Sequence, residues 1–430
     1  DRLLYWLLSG KYSEEVYTPE GDYKSFITGV SMSLRRFFVT GEIDGNYNKN
    51  YSKLHELIYS GGSPRHLLLV DTINAIVDKR ISNSTWHSLE AYTGIPTDQW
   101  REIIVKPQFI RELWPSQHLL GRSEVLRGRS ATIQMPTSAG KTKAIELIIR
   151  SAFISKRTLL SVIVVPFRAL CHEINDSLTI AFTGEAVTID EPSDALQNDF
   201  DLNEWFLQPS VLVVTPEKLL YILRHSPELA EQIGVLIYDE GHQFDNGSRG
   251  VIYELLITSL NELVSPETQT VLVSAVISNA TEIDHWLNSD AGGVVSGVNL
   301  LPTRRSLAFA SWQDQLGRLE FVDHRHPDLS EFFLPRVLDQ TKLKNRPRER
   351  KVRLFPVKDN GKDIALYLGL KLAENGTVAI FCGTKPIASG ICKRVVEIYE
   401  RGYGHPAPAT VSNVSELSKL KYLISRHLGK

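Results

Sequence analysis

Residues 135–142, which read MPTSAGKT, combine a glycine, a lysine and a hydroxyl at the spacing that binds phosphate. In this phosphate loop, backbone N–H groups at the start of a helix would point at one spot, where the helix dipole favours an anion. Gly140 lets the backbone approach closely, Lys141 would neutralise the β- and γ-phosphates, and the Thr142 hydroxyl would ligate Mg²⁺. The usual first glycine is Met135 here. The residues predicted to bind the nucleotide are Thr137, Ser138, Ala139, Gly140, Lys141 and Thr142.

The acidic segment, residues 238–242, reads YDEGH and follows the apolar run Gly234–Tyr238, which predicts a buried strand of a parallel sheet. Asp239 at the end of that strand would hold Mg²⁺, and Glu240 would orient and deprotonate a water. Either motif alone is also compatible with a turn or an acidic strand end. Together, after strands and in this order, they predict an ATP site with Mg²⁺. The predicted catalytic residues are Lys141, Asp239, Glu240 and His242.

The elements around the phosphate loop and the acidic segment alternate between strands and helices. Apolar runs predict strands at 130–135, 159–166, 210–215, 234–239 and 270–275. This alternation is the pattern of an α/β fold with a doubly wound parallel sheet. Ligands of such sheets bind at the carboxyl ends of the strands, where both motifs fall.

The rest of the chain divides by its patterns. Apolar residues at helical spacing predict helices at Asp1–Leu8, Tyr23–Phe38, Tyr51–Tyr59 and Leu67–Val77. A further helix at 362–373 and a strand at 376–384 resemble the opening of a second nucleotide-binding lobe. We predict a helical N-terminal accessory domain at 1–105, a first lobe with the ATP site at 106–310, a connecting segment with a basic linker at 311–354, and an incomplete second lobe at 355–430.

Two stretches of biased charge interrupt this order. Glu185–Glu204 has seven acidic residues and no basic ones, which predicts a solvated surface loop. Lys342–Arg353 has seven basic residues and one acidic residue. It is compatible with a flexible interdomain linker and with a contact to the backbone of nucleic acid.

Composition limits the class of protein. The 430 residues are 42% hydrophobic and 23% charged, which is typical of a soluble globular protein, and the net charge of −2 neither favours nor opposes nucleic-acid binding. No apolar stretch approaches the roughly 18 residues of a membrane span, so we expect no membrane contact. Three cysteines without a CxxC pair favour a reducing, cytoplasmic compartment over a disulfide or zinc framework. Because the chain begins at Asp1 rather than Met, we expect a fragment.

Further motifs make the chain resemble a superfamily 2 helicase of the DExH type, in the Ski-like group. Leu113–Gln117 resembles the adenine-reading Q-type segment, Val164–His172 motif Ia, and Thr215–Leu219 motif Ib. Ser274–Val276 resembles the Ser-Ala-Thr motif, and Phe381–Lys385 motif IV. The resemblance implies two RecA-like lobes of the P-loop NTPase fold.

The resemblance also implies roles for individual residues. Gln117 would hydrogen-bond the adenine edge, and Ser274 would couple the state of ATP to the grip on the strand. Val276 replaces the usual Thr and removes a hydroxyl, which puts coupling through that position in doubt. The residues expected to contact the nucleic-acid backbone are Pro166, Arg168, Thr215 and Pro216.

Each of these residues also has a plainer interpretation. Gln117 is compatible with an ordinary surface glutamine, and Arg168 with an exposed arginine at the start of a helix. Thr215 and Pro216 are compatible with a turn that ends a strand, where proline is common. His242, taken alone, is compatible with a structural histidine.

The resemblance implies ATP-driven translocation along one strand, with single-stranded or forked DNA or RNA as the partner. The family's later motifs are not in the chain, so we expect these residues alone to bind ATP poorly and hardly to hydrolyse it. The alternative is an ATP-gated sensor that holds a partner nuclease inactive, because the chain also looks something like the helicase subunits of Hachiman antiphage systems. A small-molecule P-loop kinase would leave the Ia, Ib and Ser274 segments unexplained.

Overall fold

The structure is a computed structural model, and its contacts divide the chain into two compact units, Asp1–Thr303 and Arg304–Lys430. The residues that it describes are 1–12, 14–16, 20–136, 138–192, 207–242, 247–275, 277–300, 306–313, 316–323, 326–407 and 413–428.

The first unit begins with a helical region. Its helices are α1 (Arg2–Ser9), α2 (Lys24–Thr40), α3 (Asn46–Gly61), α4 (Pro64–Asn83), α5 (Thr85–Thr93) and α6 (Thr97–Ile104). Local chemistry sets their ends: the Ser63 hydroxyl accepts the His66 N–H at 3.3 Å before α4, and Gly41 ends α2 in the left-handed conformation. The four helices predicted from apolar spacing are confirmed as α1 to α4.

A parallel sheet forms the rest of the first unit. Within the described residues it has seven strands, in the order β3-β4-β2-β5-β6-β1-β7. Their bounds are β1 Ala131–Gln134, β2 Leu160–Val164, β3 Thr188–Asp190, β4 Ser210–Val214, β5 Ile233–Tyr238, β6 Gln269–Ser274 and β7 Val294–Ser296. The five predicted strands are confirmed as β1, β2, β4, β5 and β6, whereas the short edge strands β3 and β7 were not predicted.

Helices cover both faces of this sheet. They are α7 (Pro115–Arg122), α8 (Lys141–Ile154), α9 (Arg168–Ala181), α10 (Pro216–His225), α11 (Leu229–Gln232), α12 (Gly247–Leu263) and α13 (Ala280–Asn288). Alternate residues of one strand enter different cores, since Ile163 packs with α8 and α9 and Val162 packs with α10 and α12. The first of these cores also contains Leu3, Trp100 and other residues of the helical region, so that region and the sheet share one interior. The predicted α/β, doubly wound fold is confirmed.

A buried cation joins α8 to the segment that follows α9. Arg150 of α8 is 1% exposed, and its guanidinium lies 2.9 Å from Glu146 and 2.7 Å from Glu185. Lys106 reaches the same Glu185 carboxylate at 2.7 Å. Glu185 therefore does not belong to a solvated loop as predicted, because burying Arg150 requires carboxylate partners. The remainder of that acidic stretch, from 193 to 204, lies outside the described residues.

The second unit combines two small sheets with helices. An antiparallel sheet contains β8 (Leu307–Gln313), β9 (Leu316–Val322) and β10 (Ser330–Leu338), and a hairpin pairs β11 (Thr341–Leu343) with β12 (Arg353–Phe355). The helices are α14 (Gly361–Leu372), α15 (Lys385–Glu400) and α16 (Val414–Leu428). Leu338, Phe355, Tyr367 and Ile398 are among the residues of its core.

Two predictions for the second unit differ from this structure. The connecting segment predicted at 311–354 is folded into strands, because its apolar residues at Leu338 and Leu343 reach the core. The strand predicted at 376–384 is not formed: residues 377–382 pair with no strand in the part of the chain that the structure describes, and Phe381 is 94% exposed. A strand exists only by hydrogen bonding to a neighbour, and apolar content alone does not supply one.

No helix among the described residues is long and apolar enough to cross a membrane.

Candidate nucleotide site

The phosphate loop and the acidic segment meet at one edge of the sheet. The loop follows β1 and the acidic segment follows β5, and β6 lies between these two strands and is parallel to both. The carboxyl ends of parallel strands lie on the same side, which is where such sheets hold ligands. The Met135 N–H donates to the Ser274 carbonyl at 3.0 Å, so the end of β6 is fastened to the start of the loop.

The phosphate loop adopts a backbone conformation suited to an anion. Ser138 and Gly140 have φ of 71° and 87°, and α8 begins at Lys141. A Cβ added at Gly140 would come within 2.9 Å of Gln117 Nε2, so the loop packs too closely against α7 for a side chain at this position. The described loop residues therefore fit a phosphate at the amino end of α8. The predicted ligand Thr137 lies outside the described residues.

Helix α7 supports the loop from behind. Gln117 is 2% exposed, accepts the Trp114 N–H at 2.7 Å through Oε1, and directs Nε2 at the Gly140 carbonyl, 3.5 Å away. Ser116 donates to the Ala139 carbonyl at 2.6 Å. Gln117 is thus a buried residue in contact with the loop, and the interpretation as an ordinary surface glutamine is wrong.

The two motifs are joined by an ion pair. Lys141 Nζ lies 3.0 Å from Glu240 Oε1, and both side chains are largely buried. Glu240 has φ of 50°, which is unusual for a residue that is not glycine and holds its carboxylate at the end of β5. Thr142 follows in the first turn of α8 and is half-buried. A lysine and a carboxylate that face each other this closely are suited to a charged ligand placed between them.

Asp239 is the buried acid of the site. It is 8% exposed, and its carboxylate accepts the Glu240 N–H at 2.9 Å. Burial, reinforced by the charge of Glu240, raises the pKa of Asp239 to about 6. A bound cation would stabilise the ionised form of a carboxylate that burial disfavours. Asp239 and the Thr142 hydroxyl are hard oxygen donors that suit Mg²⁺. Among the described residues there is no group of three or more His, Cys, Asp or Glu side chains that would hold a metal by itself. Two protein oxygens fit Mg²⁺, which keeps waters and phosphate oxygens as its other ligands.

His242 connects the acidic segment to β6. Its Nδ1 lies 3.3 Å from Glu240 Oε2 and 3.4 Å from the hydroxyl of Ser274, which is fully buried. The same Ser274 carries the carbonyl that holds the loop. One residue therefore contacts both motifs, through its backbone on one side and its side chain on the other. Val276, two residues further on, lies outside the described residues.

Tyr253 is a residue of this site that was not predicted. It is buried on α12, and its hydroxyl donates towards the Asp239 carbonyl at 3.2 Å and the Val164 carbonyl at 3.4 Å. Burial raises the pKa of Tyr253 well above its ordinary value, so the hydroxyl stays protonated and can donate. It bridges the ends of β5 and β2. In the sequence Tyr253 looks like any other core residue of a helix, and only the fold identifies its partners.

The four predicted nucleic-acid contacts lie at the ends of two neighbouring strands. Pro166 and Arg168 follow β2, Thr215 and Pro216 follow β4, and β2 pairs with β4. Arg168 is exposed at the start of α9, and the Thr215 hydroxyl accepts the Lys218 N–H at 3.4 Å as the cap of α10. Pro216 is buried in the first turn of α10. The fold thus brings all four residues to the edge of the sheet that carries the nucleotide site.

Comparisons with known proteins agree with this arrangement. The model of the DEAD/DEAH box helicase family matches residues 121–283. Hachiman protein HamB of Bacillus cereus is 25% identical over 304 residues, which cover 70% of this chain and 27% of HamB. The ATP-dependent DNA helicase Hel308 of Thermoplasma volcanium is 32% identical over 164 residues, which cover 38% of this chain and 23% of that helicase.

Among solved structures, the DEAD-box helicase Mss116 bound to ssRNA and UDP-BeF aligns over 49% of this chain and 44% of that one, with 20% identity and a TM-score of 0.39. The chain spans about a quarter of the length of HamB and of Hel308. Residues 121–283, which contain the phosphate loop, the acidic segment and strands β1 to β6 of the sheet, are thus similar to a DEAD/DEAH box helicase domain.

Proposed function

We propose that this chain carries the ATP-hydrolysing half of a DExH-type translocase that moves along single-stranded nucleic acid. The observation that supports this most directly is the meeting of Lys141, Asp239 and Glu240 at one sheet edge, with His242 and Ser274 attached to them. A structural turn or an acidic strand end does not require these five side chains to converge. Similarity to helicases supports the same general activity, a nucleic-acid-dependent ATPase.

The nucleotide would be held by residues of the phosphate loop and α7. Lys141 exchanges Glu240 for the β- and γ-phosphates, and the N–H groups at the amino end of α8 point at the same oxygens. Gln117, whose Nε2 lies 3.5 Å from the Gly140 carbonyl, would hydrogen-bond the adenine edge. Thr142 and Asp239 would hold Mg²⁺, which supplies positive charge to the phosphates when it is bound. A bound cation would favour the ionised form of the buried Asp239, which burial disfavours.

Glu240 would act as the base. Once Lys141 has turned to phosphate, the Glu240 carboxylate is free to orient and deprotonate a water. His242 remains beside the second oxygen of that carboxylate. Its Nδ1 also contacts the Ser274 hydroxyl at the end of β6. On the other side of β5, the Tyr253 hydroxyl joins the Asp239 carbonyl to the Val164 carbonyl of β2. This contact connects the acidic segment to the ends of β2 and β4, where Arg168 and Thr215 would hold the backbone of the strand without reading its bases.

Two substitutions in the full-length protein test the ATP site. Lys141→Ala removes the phosphate cation, and Glu240→Gln keeps the shape of the base but removes its proton affinity. Each is expected to abolish the nucleic-acid-stimulated release of phosphate, a loss of about 10² or more in rate. Glu262→Gln, at an acidic residue near the end of α12 and away from the site, is the matched control and is expected to keep full turnover. Unchanged turnover in Lys141→Ala would overturn the site.

A second function, from a different class, has its own support. The match to HamB extends over 304 residues, whereas the helicase family accounts only for 121–283. The similarity to HamB therefore extends beyond residues 121–283. On this basis the alternative is an ATP-gated sensor subunit of an antiphage complex, in which nucleic acid and ATP control a partner nuclease.

One set of measurements separates these two functions. Purified full-length protein is given forked duplexes with ATP, and the separation of strands is followed by fluorescence. Strand separation by the protein alone favours the translocase. A nuclease that co-purifies in fixed stoichiometry, and that cuts only when ATP and nucleic acid are present, favours the sensor. Comparing single-stranded DNA and single-stranded RNA as activators also identifies the nucleic acid.

A further inference from the structure

The hairpin of the second unit carries a dense group of positively charged side chains. This basic hairpin, residues 341–355, comprises β11, β12 and the loop between them. Within it, a single carboxylate, Glu349, accompanies a set of seven cations. The seven are Lys342, Lys344, Arg346, Arg348, Arg350, Lys351 and Arg353, and all of them are exposed.

The one carboxylate of the hairpin faces inward. Glu349 makes a two-pronged contact with Arg401, with Oε2 at 2.7 Å from Nη1 and Oε1 at 3.1 Å from Nη2. Arg401 is 4% exposed and also lies 2.9 Å from Glu397. The paired guanidinium lowers the pKa of Glu349 to about 2, so the carboxylate stays ionised and bound to Arg401. Both oxygens of the carboxylate contact the buried Arg401, and among the exposed hairpin cations the Arg353 guanidinium also lies 3.4 Å from Glu349 Oε1.

The same contacts fix the shape of the loop. The Lys344 N–H donates to the Arg401 carbonyl at 2.9 Å, and Arg401 donates back to the Lys344 carbonyl at 3.2 Å. The Arg346 N–H donates to Glu349 at 2.9 Å. Arg348 takes φ of 73° at the turn. A loop held at several points presents its cations in one arrangement, which lowers the ordering entropy that a ligand must overcome.

Most of the cations lack a local partner. Arg346 pairs with Glu400 and Arg353 pairs with Glu349. The other five form no ion pair within the part of the chain that the structure describes; they are Lys342, Lys344, Arg348, Arg350 and Lys351. The chain as a whole has a net charge of −2, so this surface is a local exception and not the consequence of a basic protein.

We propose that the basic hairpin binds the phosphate backbone of nucleic acid, as a contact additional to Arg168 and Thr215. Several uncompensated cations within ten residues match a polymer with one negative charge on each nucleotide. Mixed arginine and lysine without an apolar face favour nucleic acid over a membrane surface, where an apolar face would insert. The inference rests on the proposed function for the identity of the polyanion and extends it to the second unit.

The salt dependence of binding tests this inference. In the full-length protein without nucleotide, the five unpaired cations are changed to Gln, and the affinity for a fluorescein-labelled oligothymidine is measured by anisotropy over a range of salt concentrations. Each lost phosphate contact lowers the slope of log K against log salt by about 0.7 for a single strand, so the full set lowers it by up to about 3.5. Glu349 and Arg401 are kept, and an unchanged melting temperature verifies the fold.

A control with the same change in net charge makes the test specific. Five exposed cations of the first unit are changed to Gln together, namely Lys49, Lys53, Lys79, Arg122 and Lys156. This variant is expected to keep the slope of the wild type. An unchanged slope in the hairpin variant overturns the inference, and so does an equal loss in the control. Loss of binding to phosphatidylserine vesicles with retained binding of oligothymidine would reassign the hairpin to a membrane.

The result is independent of the ATP site. Lys141→Ala is expected to keep the salt slope of the wild type, because no nucleotide is present. If the full-length protein shows no ATPase while the hairpin variant still loses its slope, the proposed function fails and the hairpin contact stands. The converse result removes the hairpin contact alone.

Discussion

Asp239 lies in a buried position that disfavours its negative charge. The cost can be measured as a decrease in the free energy of unfolding. Burial raises the pKa of Asp239 from 3.8 to about 6, so between these values the folded state binds a proton that the unfolded state releases. The free energy of unfolding therefore falls as the pH rises through this window, and above it the ionised Asp239 costs about 3 kcal/mol. Asp239→Asn keeps the acceptor for the Glu240 N–H without the charge. We expect this variant to be more stable than the wild type at pH 8, by up to that amount, and to lose most of this advantage towards pH 4.

Urea unfolding without Mg²⁺, followed at both pH values, measures the difference. Asp176→Asn, at an exposed carboxylate of α9, is the control and should show no difference that depends on pH. A variant Asp239→Asn that is equally or less stable at pH 8 contradicts the account. The result would also show that the charge of Asp239 does not stabilise the fold.

The contact between His242 and Ser274 predicts a second result at this scale. If His242 and Ser274 together couple nucleic-acid binding to ATP hydrolysis, removing either side chain should remove the whole of this coupling. His242→Ala and Ser274→Ala are each expected to keep nucleotide binding and to lose most of the stimulation of ATPase by nucleic acid, and the double variant should match the single ones. Additive losses in the double variant would show that the two residues act separately.

At the scale of elements, periodicity and apolar runs predicted most of the first unit. Helices α1 to α4 and five strands of the sheet were found at the predicted places, because long amphipathic patterns and buried runs have few alternatives. The short strands β3 and β7 were missed because three residues carry too little pattern. The sheet β8–β10 was missed because its exposed faces, including Phe332 and Phe333, do not show the alternation of a half-buried strand.

The site was predicted in part, for a related reason. Motifs identify residues that touch a ligand, so the phosphate loop and the acidic segment could be found from their letters. Residues that position others have no such signature. Tyr253 could be found only from the fold, and so could the partners of Arg150 and Arg401.

The ion pairs around Arg150 allow a prediction about the stability of the first unit. Glu185→Ala leaves the buried Arg150 with one carboxylate and Lys106 with none. We expect the free energy of unfolding to fall by about 3 kcal/mol, because a buried charge has lost a partner. Asp176→Ala removes an exposed carboxylate nearby and should change stability by less than about 0.5 kcal/mol. Equal effects of the two substitutions would mean that the cluster adds nothing.

Among the described residues, three hydrophobic clusters lie in the first unit and one in the second, and no cluster combines buried residues of both units. Trp100 and Phe355 are each fully buried in one of them. We expect calorimetry of this chain to resolve two transitions, with Trp100→Ala lowering one and Phe355→Ala the other, each by about 3 to 5 kcal/mol. A single transition that both substitutions shift equally would contradict the division. Leu420→Ala, at an exposed residue of α16, is the control and should shift neither transition.

The pairing of Lys141 with Glu240 has a consequence for the order of events in the proposed cycle. Without a nucleotide, the group that would activate water is occupied by the group that would hold phosphate. Only a ligand that binds Lys141 frees the Glu240 carboxylate, so binding of ATP itself makes the base available. The ion pair therefore keeps Glu240 from activating water in the absence of ATP. Hydrolysis follows only after ATP has bound.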